Sequence, residues 1–386
     1  MKRSTRQRRP VFSAEAGALV ALIDATAVPA DRRGVGRYVD ELVSAIDAPI
    51  AIACQARDLD HYRRLAPHAI VLPQRGISST PARLLWEQLG LPWVARRAGV
   101  RVIHSPHYTL PLLTRRARVV TLHDATFFTD PGSHTRMKRW FFRTWIRLST
   151  RLADALITVS RASANELART LGVAPGRFSV IHLGVDHERF RPPSPDEVAA
   201  AKAALGLPDA PWIAFLGTLE PRKNLPALIG AYGRVAGAWS GPGPTPVLAI
   251  AGGAGWGDAI DEYDGPGRVL RLGYIPLESV PAFLGGSMIV AYPSLGEGFG
   301  LPALEAMACG AAVLTTPRLA IPEVGGDAVE YTEPDVDSLT ATLAKLLADP
   351  ERRSALGAAG IARAAKFTWA ACSDAHLAIY RRAGDS

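Results

Sequence analysis

The chain has 386 residues, nearly half of them apolar, with no apolar run near the ~20 residues needed to cross a bilayer. Because single cores seldom grow past ~250–300 residues, two domains are expected. Residues 1–190 carry 29 Lys and Arg against 15 Asp and Glu, whereas residues 191–386 carry 15 against 21, so an anionic partner is expected for the first half only.

In chain order, residues 1–10 form a basic tail with Lys2, Arg3, Arg6, Arg8 and Arg9, read as disordered. The apolar stretch Ala18–Ile23 is too short for a signal-peptide core and meets Asp24, so a cytoplasmic protein is expected. Short apolar strands then alternate with helical patterns: Leu19–Ile23, Ile50–Ala53, Val102–His104, Val119–Leu122, Ala155–Val159 and Val180–His182, separated by amphipathic segments such as Gly36–Ala45 and Ser163–Leu171. This alternation predicts a doubly wound parallel sheet over residues 11–190. The Pro-rich run from Arg189 to Pro195 starts a linker, 191–211, with a short alanine-rich helix. A second set follows over 212–367: Trp212–Gly217, Val247–Ala251, Val269–Leu272, Met288–Tyr292 and Ala312–Thr315, then helices near Val336–Leu347 and Ser354–Ala364. Cys54, Cys309 and Cys372 share no metal or redox spacing, which suits a reducing compartment.

Two motifs carry chemistry. After the strand ending at Tyr292, the run Glu297-Gly298-Phe299-Gly300-Leu301-Pro-Ala-Leu-Glu305 places two carboxylates around a glycine loop that opens a helix, closed at Gly310. Backbone N–H groups at such a joint favour an anion such as a diphosphate. Glu297 and Glu305 beside it read as acceptors for sugar hydroxyls, not as charge neutralisers. After Trp212–Leu216, Gly217-Thr-Leu-Glu-Pro221-Arg222-Lys223 offers two cations in the first turn of a helix, an Arg for bidentate phosphate contact and a Lys as point charge. In the first half, Gly34-Val-Gly36-Arg37-Tyr38 lacks the third glycine and the acid of a nicotinamide site. His104, His107 and His123 sit at strand ends, where imidazole suits metal binding, base catalysis or sugar contact, and a zinc site would need a fourth ligand. The segment Arg136–Arg151 interleaves cations with aromatics and suits either an acidic membrane surface or a core-facing helix with an arginine outer face.

The motif from Glu297 to Glu305 resembles the paired-glutamate motif of retaining GT-B glycosyltransferases of family 4, and the Arg222-Lys223 segment is similar to that family's pyrophosphate-binding segment. The resemblance covers the chain from Gly34 to about Ala364. It implies two Rossmann-like domains facing a central cleft, with residues 368–386 forming a helix that crosses back to the first domain. It also implies that Gly36 approaches the sugar or its phosphate, and that Arg222 and Lys223 hold the diphosphate. Glu297 with Gly298, Phe299, Gly300 and Leu301 meets the transferred sugar, Glu305 the ribose and Tyr274 the nucleobase. His123, in His123-Asp124, is placed near the reacting carbon. Trp86-Glu87-Gln88 and Gly252–Gly257 resemble mannosyltransferase-like members, so GDP-mannose is the first choice of donor, with UDP-sugars second. The acceptor implied is a glycan or a polyprenyl- or lipid-linked glycan, with peripheral contact at the inner face of an anionic membrane and no nucleic acid. Transfer needs no metal and no cofactor beyond the nucleotide sugar. The run Thr316-Pro-Arg318-Leu319 to Pro322-Glu323 departs from the small-residue pattern of close relatives. A nucleotide-sugar epimerase or phosphorylase, and a non-enzymatic anion-binding protein, are the alternatives.

Overall fold

The computed structural model describes residues 19–30, 32, 34–129, 135–253 and 263–385. The basic tail, Asp31 and most of Gly252–Gly257 lie outside the described residues. Seven parallel strands form the first sheet: β1 (Ala21–Asp24), β2 (Ile50–Gln55), β3 (Ile70–Gln74), β4 (Val102–Ser105), β5 (Ala117–Leu122), β6 (Ala155–Thr158) and β7 (Phe178–Val180). Six form the second: β8 (Trp212–Leu216), β9 (Val247–Ala251), β10 (Val269–Gly273), β11 (Ile289–Tyr292), β12 (Val313–Thr315) and β13 (Glu330–Tyr331). The orders are β3-β2-β1-β4-β5-β6-β7 and β10-β9-β8-β11-β12-β13.

Both sheets therefore reverse winding once, between β1 and β4 and between β8 and β11. Ligands of open parallel sheets sit at the carboxyl ends of strands at that switch point. The strands β1, β2, β4, β9 and β11 are buried throughout, and β8 in all but Leu216, as continuous apolar runs require when helices cover both faces. Two strands escape the apolar pattern. β3 is an edge strand containing Pro73, which a paired interior strand would not tolerate. β13 has only two residues, too few to show a period.

The last helix, Trp369–Gly384, packs on the helix Val35–Ala45 of the first half. The chain crosses at a parallel bridge between Val185 and Thr368. Gly184 is needed there, since a Cβ would lie 2.2 Å from the Trp369 nitrogen. A buried chain of hydrogen bonds fixes the helix. His376 donates through Nδ1 to the Cys372 carbonyl (2.8 Å), leaving Nε2 to accept from Tyr38 (2.8 Å). Tyr38 meets Thr121 at 3.1 Å, Thr121 meets His104 Nε2 at 2.8 Å, and Tyr380 donates to His104 Nδ1 at 2.7 Å. Among the described residues no helix is long and apolar enough to cross a membrane.

Candidate active site

The second switch point gathers the loops after β8 and β11. Pro221–Lys223 is a single 3-10 turn, and Asn224 then adopts a left-handed conformation (φ 56°) before the helix Leu225–Gly237 begins. The two cations thus stand on a turn before the helix, not in its first turn as expected. Leu295 N–H donates to the Arg222 carbonyl at 2.7 Å, which locks the two loops together. Between them lies Glu297, only 7% exposed. Its Oε1 accepts from Lys223 Nζ (2.6 Å), Tyr292 (2.8 Å) and Ser294 (2.6 Å), and its Oε2 lies 2.7 Å from Arg222 Nη1. Lys223 also donates to Tyr292, and Arg222 Nε to Glu220 at 3.0 Å.

The charge-balancing role set aside for Glu297 is present: its carboxylate is shared between Lys223 and Arg222, and Glu220 also pairs with Arg222. Burial alone would push this carboxyl up. The Lys223 and Arg222 charges and the donated hydrogen bonds overcome that and hold it at about 2. Lys223, 5% exposed, spends its ammonium inside the cluster. Arg222 is 28% exposed, and no described group bonds its Nη2. The guanidinium is therefore the cation that an incoming anion meets, already fixed by Glu297, Glu220 and the Gly296 carbonyl (3.0 Å).

The Glu297 loop also touches the first half. Gly300 (φ 99°) caps the helix Leu301–Ala308. The Gly298 carbonyl accepts from Ser160 at 2.7 Å and faces Ser163 at 3.1 Å, and a Cβ on Gly298 would fall 2.5 Å from the His123 carbonyl oxygen. The structure thus places Gly298 directly against His123. The His123 ring donates through Nε2 to the Pro106 carbonyl (2.9 Å), which leaves Nδ1 as an acceptor. Burial lowers its proton affinity, against the raising effect of the Pro106 hydrogen bond. Glu305 reaches across the same gap, where Arg37 Nη1 lies 2.5 Å from its Oε1 as an ion pair. Burial raises the Glu305 carboxyl, and Arg37 opposes this. Glu323 closes the interface, paired with His182 (2.6 Å) and accepting from the Arg161 and Ala162 amides at 3.0 and 3.2 Å.

Other expected residues lie apart. Phe299 is buried against His182 and Phe367, so only its backbone faces the loop. Gly36 sits in the first turn of its helix, where a Cβ would press on Val28 at 3.2 Å. Tyr274, 67% exposed, follows β10, two strands from β8. Arg318 pairs with Glu333 at 2.7 Å, and Leu319 has φ 48°. Ser294, Ser160 and Ser163 were not anticipated, and Tyr292 and Arg37 were noted only as a strand end and as part of the Gly34–Tyr38 loop.

The glycosyl transferases group 1 family matches residues 199–363, and glycosyltransferase family 4 matches residues 32–189. O-antigen chain mannosyltransferase B of Escherichia coli is 31% identical over 295 residues, covering 75% of this chain and 76% of that protein. A D-inositol 3-phosphate glycosyltransferase of Mycolicibacterium paratuberculosis is 35% identical over 246 residues, 60% of this chain and 53% of that protein. The crystal structure of Anabaena HepE with UDP and glucose (TM-score 0.74, 17% identity, 94% of this chain and 99% of that chain) and the solved structure of sucrose-phosphate synthase from Thermosynechococcus elongatus (0.72, 21%, 94% and 98%) share the fold. With a group 1 match on the half bearing the Arg222–Glu297 cluster and a family 4 match on the half bearing His123, the chain belongs to the GT-B group 1 glycosyltransferases and is a transferase enzyme.

Proposed function

We propose that this enzyme moves a hexose, mannose in the first instance, from a nucleotide sugar to a hydroxyl of a glycan or lipid-linked acceptor, with retention of anomeric configuration. The observation that carries this reading is the buried Arg222–Glu297–Lys223 cluster at the second switch point, held against His123 through Gly298. Departure of a nucleoside diphosphate builds negative charge. A guanidinium already oriented by three acceptors stabilises it without reorganising at the moment of reaction, and needs no metal at that position. Glu297 orients the two cations. Its loop, from Gly298 to Leu301, brings the transferred sugar beneath His123, whose free Nδ1 accepts a hydroxyl. Glu305, released from Arg37, takes the ribose, and Tyr274 lies beside the base. Glu297 is tied up by four donors and is a poor nucleophile, which favours same-face attack with the leaving phosphate as base.

The division into an acceptor domain (11–190), a linker (191–211), a donor domain (212–367) and a returning helix is part of this proposal. So is action from the cytoplasmic side of an anionic membrane. The exposed side chains Leu85, Leu89, Trp93, Leu113, Met137 and Trp140 in the cationic half support that contact. GDP-mannose is favoured by the mannosyltransferase relatives, whereas the HepE complexes contain UDP. A thermal-shift panel of GDP, UDP, ADP and GDP-mannose decides the base: the cognate diphosphate raises Tm with its concentration. A folded protein that none of them stabilises would overturn the donor site.

A further inference from the structure

The first sheet has its own polar cluster at its switch point, and it is built differently. Asp24 ends β1, His107 follows β4, and Glu87 projects from the helix Thr80–Arg97; they are 0%, 8% and 0% exposed. Each commits one polar atom to a fixed partner. Asp24 Oδ1 accepts from the Thr26 amide (3.0 Å) and hydroxyl (2.6 Å). Glu87 Oε2 accepts from Arg83 (2.7 Å) and Thr109 (2.9 Å). Since Thr109 gives its proton to Glu87, His107 Nδ1 is the donor to Thr109 Oγ1, at 3.0 Å.

Each residue then keeps one atom with no hydrogen-bond partner: Asp24 Oδ2, Glu87 Oε1 and His107 Nε2. His107 Nε2 lies 3.3 Å from Asp24 Oδ2, and one ligand atom from each of the three residues falls within 4.8 Å of the others. A buried polar atom left unpaired is costly, and this cluster holds three of them. An imidazole lone pair beside carboxylate oxygens is repulsive unless a cation stands between them. A proton on Nε2 serves one carboxylate and leaves the other bare. A divalent metal ion serves all three.

We propose that Asp24, Glu87 and His107 form a binding site for a divalent transition-metal ion of the Zn²⁺ or Mn²⁺ type. One imidazole with two carboxylates suits such ions and disfavours Mg²⁺ and Ca²⁺, which prefer oxygen alone. The outer bonds match what metal ligands require: the imidazole donates its other N–H, and each carboxylate is anchored through its second oxygen. Arg83 offsets one carboxylate charge, so a dication leaves the site with a single positive charge. The ion braces the carboxyl ends of β1 and β4 on the side expected to receive the acceptor. It stands apart from the Arg222 cluster and takes no part in neutralising the diphosphate.

The test uses the full-length, untagged protein, stripped with chelator and titrated with Zn²⁺, Mn²⁺ and Co²⁺. The expected result is one ion retained per chain after desalting, a Tm that rises with free metal, and a visible Co²⁺ spectrum of low coordination number. Asp24→Asn should abolish uptake, and Thr109→Val, which removes the shared outer partner, should weaken it about 10–100-fold. Titration of the wild-type chain decides the matter even if a variant misfolds. Failure of the folded wild-type protein to take up any of the three ions would overturn the site and assign the gap to a proton shared by His107 and Asp24. Uptake unchanged in both variants would also overturn it, by placing the ion elsewhere.

Discussion

The two switch points occupy equivalent places in two sheets of the same winding, yet their buried polar clusters differ in completeness. At β8 and β11, one carboxylate receives Lys223, Tyr292, Ser294 and Arg222, and every buried charge has its opposite. At β1 and β4, two carboxylates and an imidazole converge with three atoms unpaired. A saturated cluster is preorganised and presents a fixed cation to a ligand. An unsaturated one is a half-built coordination shell. Topology sets where both clusters stand, and side-chain chemistry alone makes them different.

The largest effect expected is at the saturated cluster. Lys223→Ala takes one of two cations from the buried Glu297 carboxylate, which keeps Arg222, Tyr292 and Ser294, and should destabilise the protein by about 3 kcal/mol in denaturant unfolding. An unchanged unfolding midpoint would show that the Lys223 charge is not part of the balance. Glu297→Ala likewise should abolish turnover at a measurable cost in stability.

Acid should separate the two halves in order. Burial depresses His376 to about 4, so the network under the last helix is intact above the unfolded value near 6.5 and weakens as pH falls toward 4. Glu297 keeps its contribution down to about 4.5 and loses it as pH falls through about 2. Each shift is on the order of 3 kcal/mol. Melting curves against pH should therefore fall in two steps, with His376→Gln flattening the upper and Glu297→Gln the lower. A single step untouched by either variant would contradict the assignment.

Gly298→Ala should cost about 1–3 kcal/mol and more in kcat than in KM, because its methyl would wedge against the His123 carbonyl. Wild-type kinetics from this variant would show that the two halves need not touch there. In metal-free protein, Asp24→Asn should change stability by less than about 1 kcal/mol, since the new amide can donate where the carboxylate had no partner. A loss as large as that of Lys223→Ala would erase the contrast between the clusters. The smallest effect is Tyr274→Ala, within about 0.5 kcal/mol in stability.

The sequence by itself determined the two parallel α/β halves, because strands covered on both faces must be continuous apolar runs, and such runs alternate visibly with amphipathic helices. It also marked Arg222, Lys223 and Glu297 as candidates, since each stands in a short loop after a strand, and the structure brings these three together, whereas Glu305 lies in the helix Leu301–Ala308 and meets Arg37. Only the tertiary structure decided how those side chains pair. Arg222 and Glu297 are 75 positions apart in numbering, and Arg37 and Glu305 belong to different halves. The strand β3 stayed hidden because an edge strand with a proline lacks the pattern of a buried one. His107 was legible as a possible ligand and Glu87 as part of Trp86-Glu87-Gln88, but their meeting with Asp24 was not. What distinguishes the three is an unpaired atom apiece and ligand atoms within reach of one another, a property that exists only once β1, β4 and the helix Thr80–Arg97 have met.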